Sequence, residues 1–195
     1  MKSIKVKSAA ESRRSVTCLT LSAMFAALIA AGTFISVPLP VSPVPVVLQN
    51  MFAVLSGLVL GPIYAACAVL LFLIAGSIGA PVFAGGSGGF VHFFGPTGGF
   101  LIGYLFGAVL CGVISGMPKT REASIFAKIR LSLACIAGFA IIYVPGVLHL
   151  RQVLDCSFEK AIAVGCIPFL PGDFVKAVAA IIISGKLRKS AARIF

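Results

Sequence analysis

The stretch Ser15-Val-Thr-Cys-Leu-Thr-Leu-Ser-Ala-Met-Phe-Ala-Ala-Leu-Ile-Ala-Ala-Gly-Thr-Phe-Ile-Ser-Val37 opens a span, ending at Pro118, that holds no Asp, Glu, Lys or Arg and a single histidine, His92. Over the whole chain of 195 residues only 11% are charged and 59% are hydrophobic, where an ordinary soluble domain carries about 25% charged residues. A soluble protein could hardly keep so long an uncharged run in water. A helical bundle facing lipid requires one, because lipid solvates apolar side chains and leaves every backbone group to be satisfied within a helix.

Working outward, the residues before this stretch carry Lys2, Lys5, Lys7, Arg13 and Arg14 against Glu11. A basic segment before an apolar one is also the pattern of a secretory signal peptide. The run from Val16 to Val37 is about 22 residues, long enough to span at 1.5 Å per residue and longer than a signal core. We therefore read it as a retained first transmembrane helix. Within it Ala23, Ala27 and Ala31 recur at four-residue spacing, a smooth stripe where another helix can approach closely, either inside this chain or from a partner.

Val37 to Pro45 holds four prolines in nine residues, which excludes helix and predicts an extended loop. Apolar runs follow over about 46–60 and, after the turn signal Gly61-Pro62, to about Ile78. Gln49 and Asn50 open the second run, as loop caps or as polar groups pointed into a cavity. Further runs cover about 98–116, 131–150 and 172–185. The expected fold is all-α: a polytopic membrane protein of six transmembrane helices. Of the sixteen Lys and Arg, thirteen fall in the N-terminal segment, the 117–130 loop and the C-terminal end. With six helices these three regions share one face, and the positive-inside rule makes that face, with both termini, cytoplasmic. This explains the net charge of +11 better than nucleic-acid binding does. The domain reading is a basic cytoplasmic segment over 1–15, a six-helix membrane domain over 16–185 and a basic cytoplasmic tail over 186–195.

Two features on the opposite face carry the candidate chemistry. Residues 79–99 hold eight glycines interleaved with Phe83, Phe90, Phe93 and Phe94. Irregular glycine-rich backbone can present uncovered N–H groups to an anion or polar ligand. No Gly-Lys-Ser/Thr follows, so it is not a phosphate loop. The phenylalanines suit a ligand-covering loop better than a water-exposed linker, and Phe83, Gly86, Gly88, Gly89 and His92 are its candidate contacts. The second feature is Pro168-Phe-Leu-Pro-Gly-Asp-Phe-Val-Lys176. Here Asp173 and Lys176, three residues apart, project from one helix face. An ionised residue near the bilayer centre costs on the order of 2.5–3.5 kcal/mol by insertion scales, so two of them point to a function; the bland alternative is a pair snorkelling to the interface.

Six scattered cysteines (Cys18, Cys67, Cys111, Cys135, Cys156, Cys166) form no Cys-x-x-Cys, which argues against zinc or a disulfide framework. A pairing of His149, near the outer end of the fifth run, with Asp173 could orient an imidazole, but no nucleophile is marked beside it, so an enzyme is not indicated. No nucleotide-binding motif is present, and ATP-driven transport would need other subunits. One acid and one base facing a glycine-rich loop and several phenylalanines suit a small molecule with an apolar body and a few hydrogen-bonding atoms.

The strings Pro45-Val-Val-Leu-Gln49, Gly57-Leu-Val-Leu-Gly-Pro62, Gly79-Ala-Pro-Val-Phe-Ala-Gly-Gly-Ser-Gly-Gly89, Gly95-Pro-Thr-Gly-Gly99 and Pro168 to Lys176 together resemble the BioY family. These are the biotin-specific substrate-binding (S) components of energy-coupling factor (ECF) transporters. The resemblance covers roughly residues 16–185. It implies six helices in the cell membrane, a biotin pocket near the outer face, and a transmembrane coupling protein with cytoplasmic ATPases as partners. ATP is then used by the partners, and the chain needs no cofactor. Asp173 and Lys176 fall on the family's ligand-binding Asp-x-x-Lys, with Gln49, Phe83, Gly86, Gly88, Gly89, His92 and His149 as further substrate-binding candidates; Ala23 and Ala27 match its partner-docking Ala-x-x-x-Ala. Asp173 can accept from ureido N–H groups while Lys176 donates to the ureido carbonyl, or Lys176 can meet the valerate carboxylate. Where relatives place a cation in or near the glycine-rich loop, this chain offers only His92. An S component for another small vitamin or vitamin precursor is the alternative.

Overall fold

The computed structural model describes residues 2–118 and 125–193, with residues 2–14 described by their backbone alone. Of the expected cytoplasmic loop, Lys119, Arg121 and Glu122 lie outside the described residues. In chain order the elements are α1 (Lys2–Ala31), β1 (Ser36–Leu39), β2 (Ser42–Val47), α2 (Gln49–Ser77), α3 (Gly98–Ser115), α4 (Ile125–Val153), α5 (Phe158–Gly165) and α6 (Leu170–Ala191). Among the described residues, five helical segments are long and apolar enough to cross a membrane. Their outward faces carry large apolar residues such as Leu70, Leu71, Phe106, Ile136 and Ile182, the surface a lipid-facing bundle presents.

The fold is mostly helical, as expected, and the proline-rich segment is extended as predicted; beyond that expectation, it closes into an antiparallel hairpin. Ser36 faces Val47, Val37 faces Val46 and Leu39 faces Ser42, with a bulge between Val37 and Leu39. Prolines are tolerated there because a two-stranded ribbon has outward edges where no N–H is needed. The second and third predicted helices are the two limbs of α2, parted as expected at Gly61 (φ 74°, ψ 179°), immediately before Pro62.

That break reverses the chain. A straight helix of 29 residues would hold its ends about 43 Å apart. Instead Gln49 Nε2 donates to Val82 O at 2.6 Å, while Gly76 lies against the ring of the adjacent Phe83 and its carbonyl accepts from Gly89 N at 2.7 Å. The two limbs of α2 therefore start and finish at the same end of the bundle. Only glycine takes that φ without strain, and the following proline lacks the N–H that would have continued the first limb.

Glycine also sets how closely the helices pack. Gly99, Gly103 and Gly107 of α3, at four-residue spacing, lie against α4: a Cβ at Gly99 would stand 2.3 Å from Pro145 O, and one at Gly103 2.6 Å from Ile142 O. On the opposite side of α3, Gly112 fits against the Gly61–Pro62 break, while Gly57 of α2 fits against Ala108 and Cys111. In lipid no hydrophobic force drives helices together, and such close approach supplies the dispersion and weak polar contacts that do.

The bundle thus has two ends. One gathers the hairpin, the segment 79–97 and the first turn of α6. The other holds the Gly61 break, Met117 and the last turns of α6, where buried Arg188 (1% exposed) donates to the Leu58, Ser115, Gly116 and Met117 carbonyls. Ser22 of α1 donates to Tyr64 O at 2.9 Å, three residues beyond the break, which places this turn of α1 near that same end.

Candidate ligand-binding site

The start of α6 explains where its charges stand. Cys166 ends α5, Ile167–Phe169 form one 3-10 turn, and Pro171 lies in the first turn of α6, a position that does not need its missing N–H. Asp173 follows in that first turn, where the helix dipole favours a negative charge. From there Asp173, Lys176, Ala180, Ser184, Arg188 and Ala191 form the buried stripe of α6, spaced three or four apart. The ion pair and Arg188 thus share one helix face, at opposite ends of the bundle.

Asp173 and Lys176 are buried, 6% and 7% exposed, and do not snorkel. Lys176 Nζ donates to Asp173 Oδ1 at 2.8 Å. Asn50, from the first turn of α2, joins both: its Nδ2 donates to Asp173 Oδ1 at 2.9 Å and its Oδ1 accepts from Lys176 Nζ at 3.1 Å. Tyr143 of α4 donates its hydroxyl to Asp173 Oδ2. An unpaired charge would be untenable at this depth, so acid and base require one another and the amide between them.

This cluster floors a cavity of about 30 Å³. Phe100 and Tyr104 of α3, Ile142 and Tyr143 of α4 and Phe169 form its apolar and aromatic walls, and Val44, Pro45 and Val47 of β2 border it as well. Phe100 and Tyr143 meet edge to face, with ring centroids 6.3 Å apart. Hydrogen-bonding capacity remains at the cluster. A carboxylate has about four acceptor positions and an ammonium three donors; three of the former and two of the latter are engaged. One acceptor position on Asp173, one N–H of Lys176 and one of Asn50 are left.

The other candidates lie nearby but do not border this cavity. Gln49, 1% exposed, donates to Thr33 Oγ1 (2.7 Å) and Val82 O (2.6 Å), tying the end of α1 to the segment 79–89. Phe83 is buried against Phe72, His92 and Phe93. Gly86 (φ 72°) is exposed in the turn Phe83 to Ser87, Gly88 packs on Ala80 O, and Gly89 (φ 109°) precedes a 3-10 turn over Phe90–Phe93. His149 Nε2 lies 3.1 Å from Gly95 O, joining α4 to the same irregular segment. Ala23 and Ala27 are on the exposed face of α1. As site residues, sequence reasoning did not single out Tyr143, Tyr104, Phe100 or Phe169, and left Asn50 open between cap and cavity.

Comparison with known proteins gives a consistent picture. The sequence matches the BioY family over residues 4–193. It is 40% identical over 171 residues to "Biotin transporter BioY" of Thermotoga maritima, covering 88% of this chain and 95% of that one. To "Probable biotin transporter BioY" of Pyrococcus horikoshii it is 38% identical over 170 residues, covering 87% and 95%. The fold superposes with a TM-score of 0.79 on the crystal structure of the S-component for biotin from an ECF-type ABC transporter, at 32% identity and covering 91% and 93% of the two chains.

Proposed function

Because the chain belongs to the BioY family, we propose that it is a biotin-binding S component that mediates biotin uptake together with an energy-coupling module. The observation that carries the reading is the buried cluster of Asn50, Asp173 and Lys176 under aromatic walls. A cyclic urea offers two N–H donors and one carbonyl acceptor. The capacity left at the cluster is complementary: Lys176 and Asn50 can donate to the carbonyl and Asp173 can accept an N–H. The apolar bicyclic body suits Phe100, Tyr104, Tyr143 and Phe169. The protein binds and releases its ligand without chemistry of its own.

The chain crosses the cell membrane six times, counting α1, both limbs of α2, α3, α4 and α6, with both termini cytoplasmic and the hairpin end outside. The excess of Lys and Arg in the terminal segments and the 117–130 loop supports this orientation. The glycine-rich segment, with Phe83, Gly86, Gly88, Gly89 and His92, and with Gln49 and His149 bracing it, covers the site. Partners are a transmembrane coupling protein, docking on Ala23 and Ala27, and cytoplasmic ATPases that consume the ATP.

Equilibrium binding of labelled biotin to the detergent-purified protein tests the ligand. Saturable binding in the micromolar range or tighter is expected; its absence, or displacement of the label by another vitamin at lower concentration than by biotin, would reassign the site.

A further inference from the structure

Beyond the Asp173 cavity, across the hairpin, lies a different surface. Pro45 of β2, which borders the Asp173 cavity, also borders a second cavity of about 410 Å³, whose walls include Ser36, Ser42, Ala84 and Gly85. Among the described residues none that is charged lines this vestibule. Residues 37–117 contain no Lys or Arg, and outside the three basic segments the chain has three cations: Arg151, Lys160 and Lys176. Arg151 is exposed beside Asp155 in a separate crevice, and Lys160 is exposed on α5.

Among the described residues Lys176 is therefore the one cation at either cavity, and it is already paired. Asp173 and Lys176 sum to zero charge. Drawing a ligand carboxylate onto Lys176 would set two carboxylates against one buried ammonium and leave a net negative charge out of water. Across Pro45 the vestibule offers the acid end of such a ligand the Ser36 and Ser42 hydroxyls and solvent. In an open, solvated vestibule the stronger bond that a carboxylate accepts is offset by its greater desolvation cost, so neutral donors discriminate little between it and an amide. Resting on the biotin reading above, we propose that this site selects its ligand by the ureido end and is indifferent to charge at the carboxylate end, so that neutral carboxamides of biotin bind as biotin does.

Displacement of labelled biotin from the full-length protein by unlabelled biotin and by biotinamide tests this. The two are expected to compete within about tenfold of one another, since truncating one partner of a buried hydrogen-bonded charge pair costs more than the 1.4 kcal/mol of a tenfold change. Biotin binding with more than tenfold discrimination against biotinamide overturns the proposal and leaves the ligand assignment intact. No binding of biotin removes both. Placing a cation in the vestibule, as Ser36→Lys, is expected to tighten biotin but not biotinamide. An unchanged ratio in that variant would put the acid end elsewhere and overturn the vestibule assignment.

Discussion

Asn50 is the residue on which the two charges depend, since it donates to Asp173 and accepts from Lys176 within one amide. Its Oδ1 also accepts from Met51 N at 2.9 Å, which holds the amide plane in place at the start of α2. Replacing it by Leu keeps the volume and removes both bonds. A lost hydrogen bond to a charged group is worth about 1.5–3 kcal/mol, so Asn50→Leu is expected to weaken biotin binding by roughly 10–100-fold. Tyr143→Phe removes only the donor to Asp173 Oδ2 and leaves the ring against Phe100, so a loss of about tenfold is expected. Equilibrium binding in detergent measures both. Affinity unchanged from wild type in the two variants would separate this cluster from the ligand.

At the scale of elements, close helix approach and one buried arginine hold the bundle. A Cβ at Gly57 would stand 2.3 Å from Ala108 O, whereas one at Gly185 meets nothing within 4 Å. Gly57→Ala is thus expected to lower the thermal midpoint, while Gly185→Ala, on a helix interior, stabilises by up to about 1 kcal/mol. Opposite shifts in a melting experiment support this packing; equal shifts contradict it. Arg188 caps the carbonyl ends of the first limb of α2 and of α3. Arg188→Met leaves those acceptors without their donor and should cost about 2–4 kcal/mol of stability. Lys176 is twelve residues away, about 18 Å along the helix. Biotin affinity of the Arg188→Met protein that remains folded is therefore expected to be that of the wild type.

For the whole molecule, orientation and partnership each carry a test. With the hairpin end outside, a single cysteine introduced at Ala84 in a cysteine-free background should react with a membrane-impermeant maleimide in intact cells. One at Arg193 should react only after permeabilisation; the reverse pattern would invert the topology. Ala23→Trp on the exposed face of α1 is expected to abolish copurification with the coupling protein while leaving biotin binding intact. Retained association would return the alanine stripe to lipid.

Much of this was legible in the chain itself. The uncharged span from Ser15 to Pro118 and the apolar runs identified a helical membrane protein, because lipid tolerates few other surfaces. The three-residue spacing of Asp173 and Lys176 put them on one face, and the tertiary structure buries that face. The glycines at 99, 103 and 107 were a visible signal of helix packing that periodicity of apolar residues alone does not register. Three things needed the tertiary structure. The prolines could forbid a helix over 37–45 but could not pair Ser36 with Val47. Arg188 read as part of a basic tail, since only the approach of the Leu58 and Ser115–Met117 carbonyls gives a buried cation its partners. Asn50 and Tyr143 stand 123 and 30 residues from Asp173 along the chain. A site assembled from three helices has no sequence spacing of its own, and only the fold-back of α2 at Gly61 and the packing of α4 against α6 bring its members within hydrogen-bonding distance.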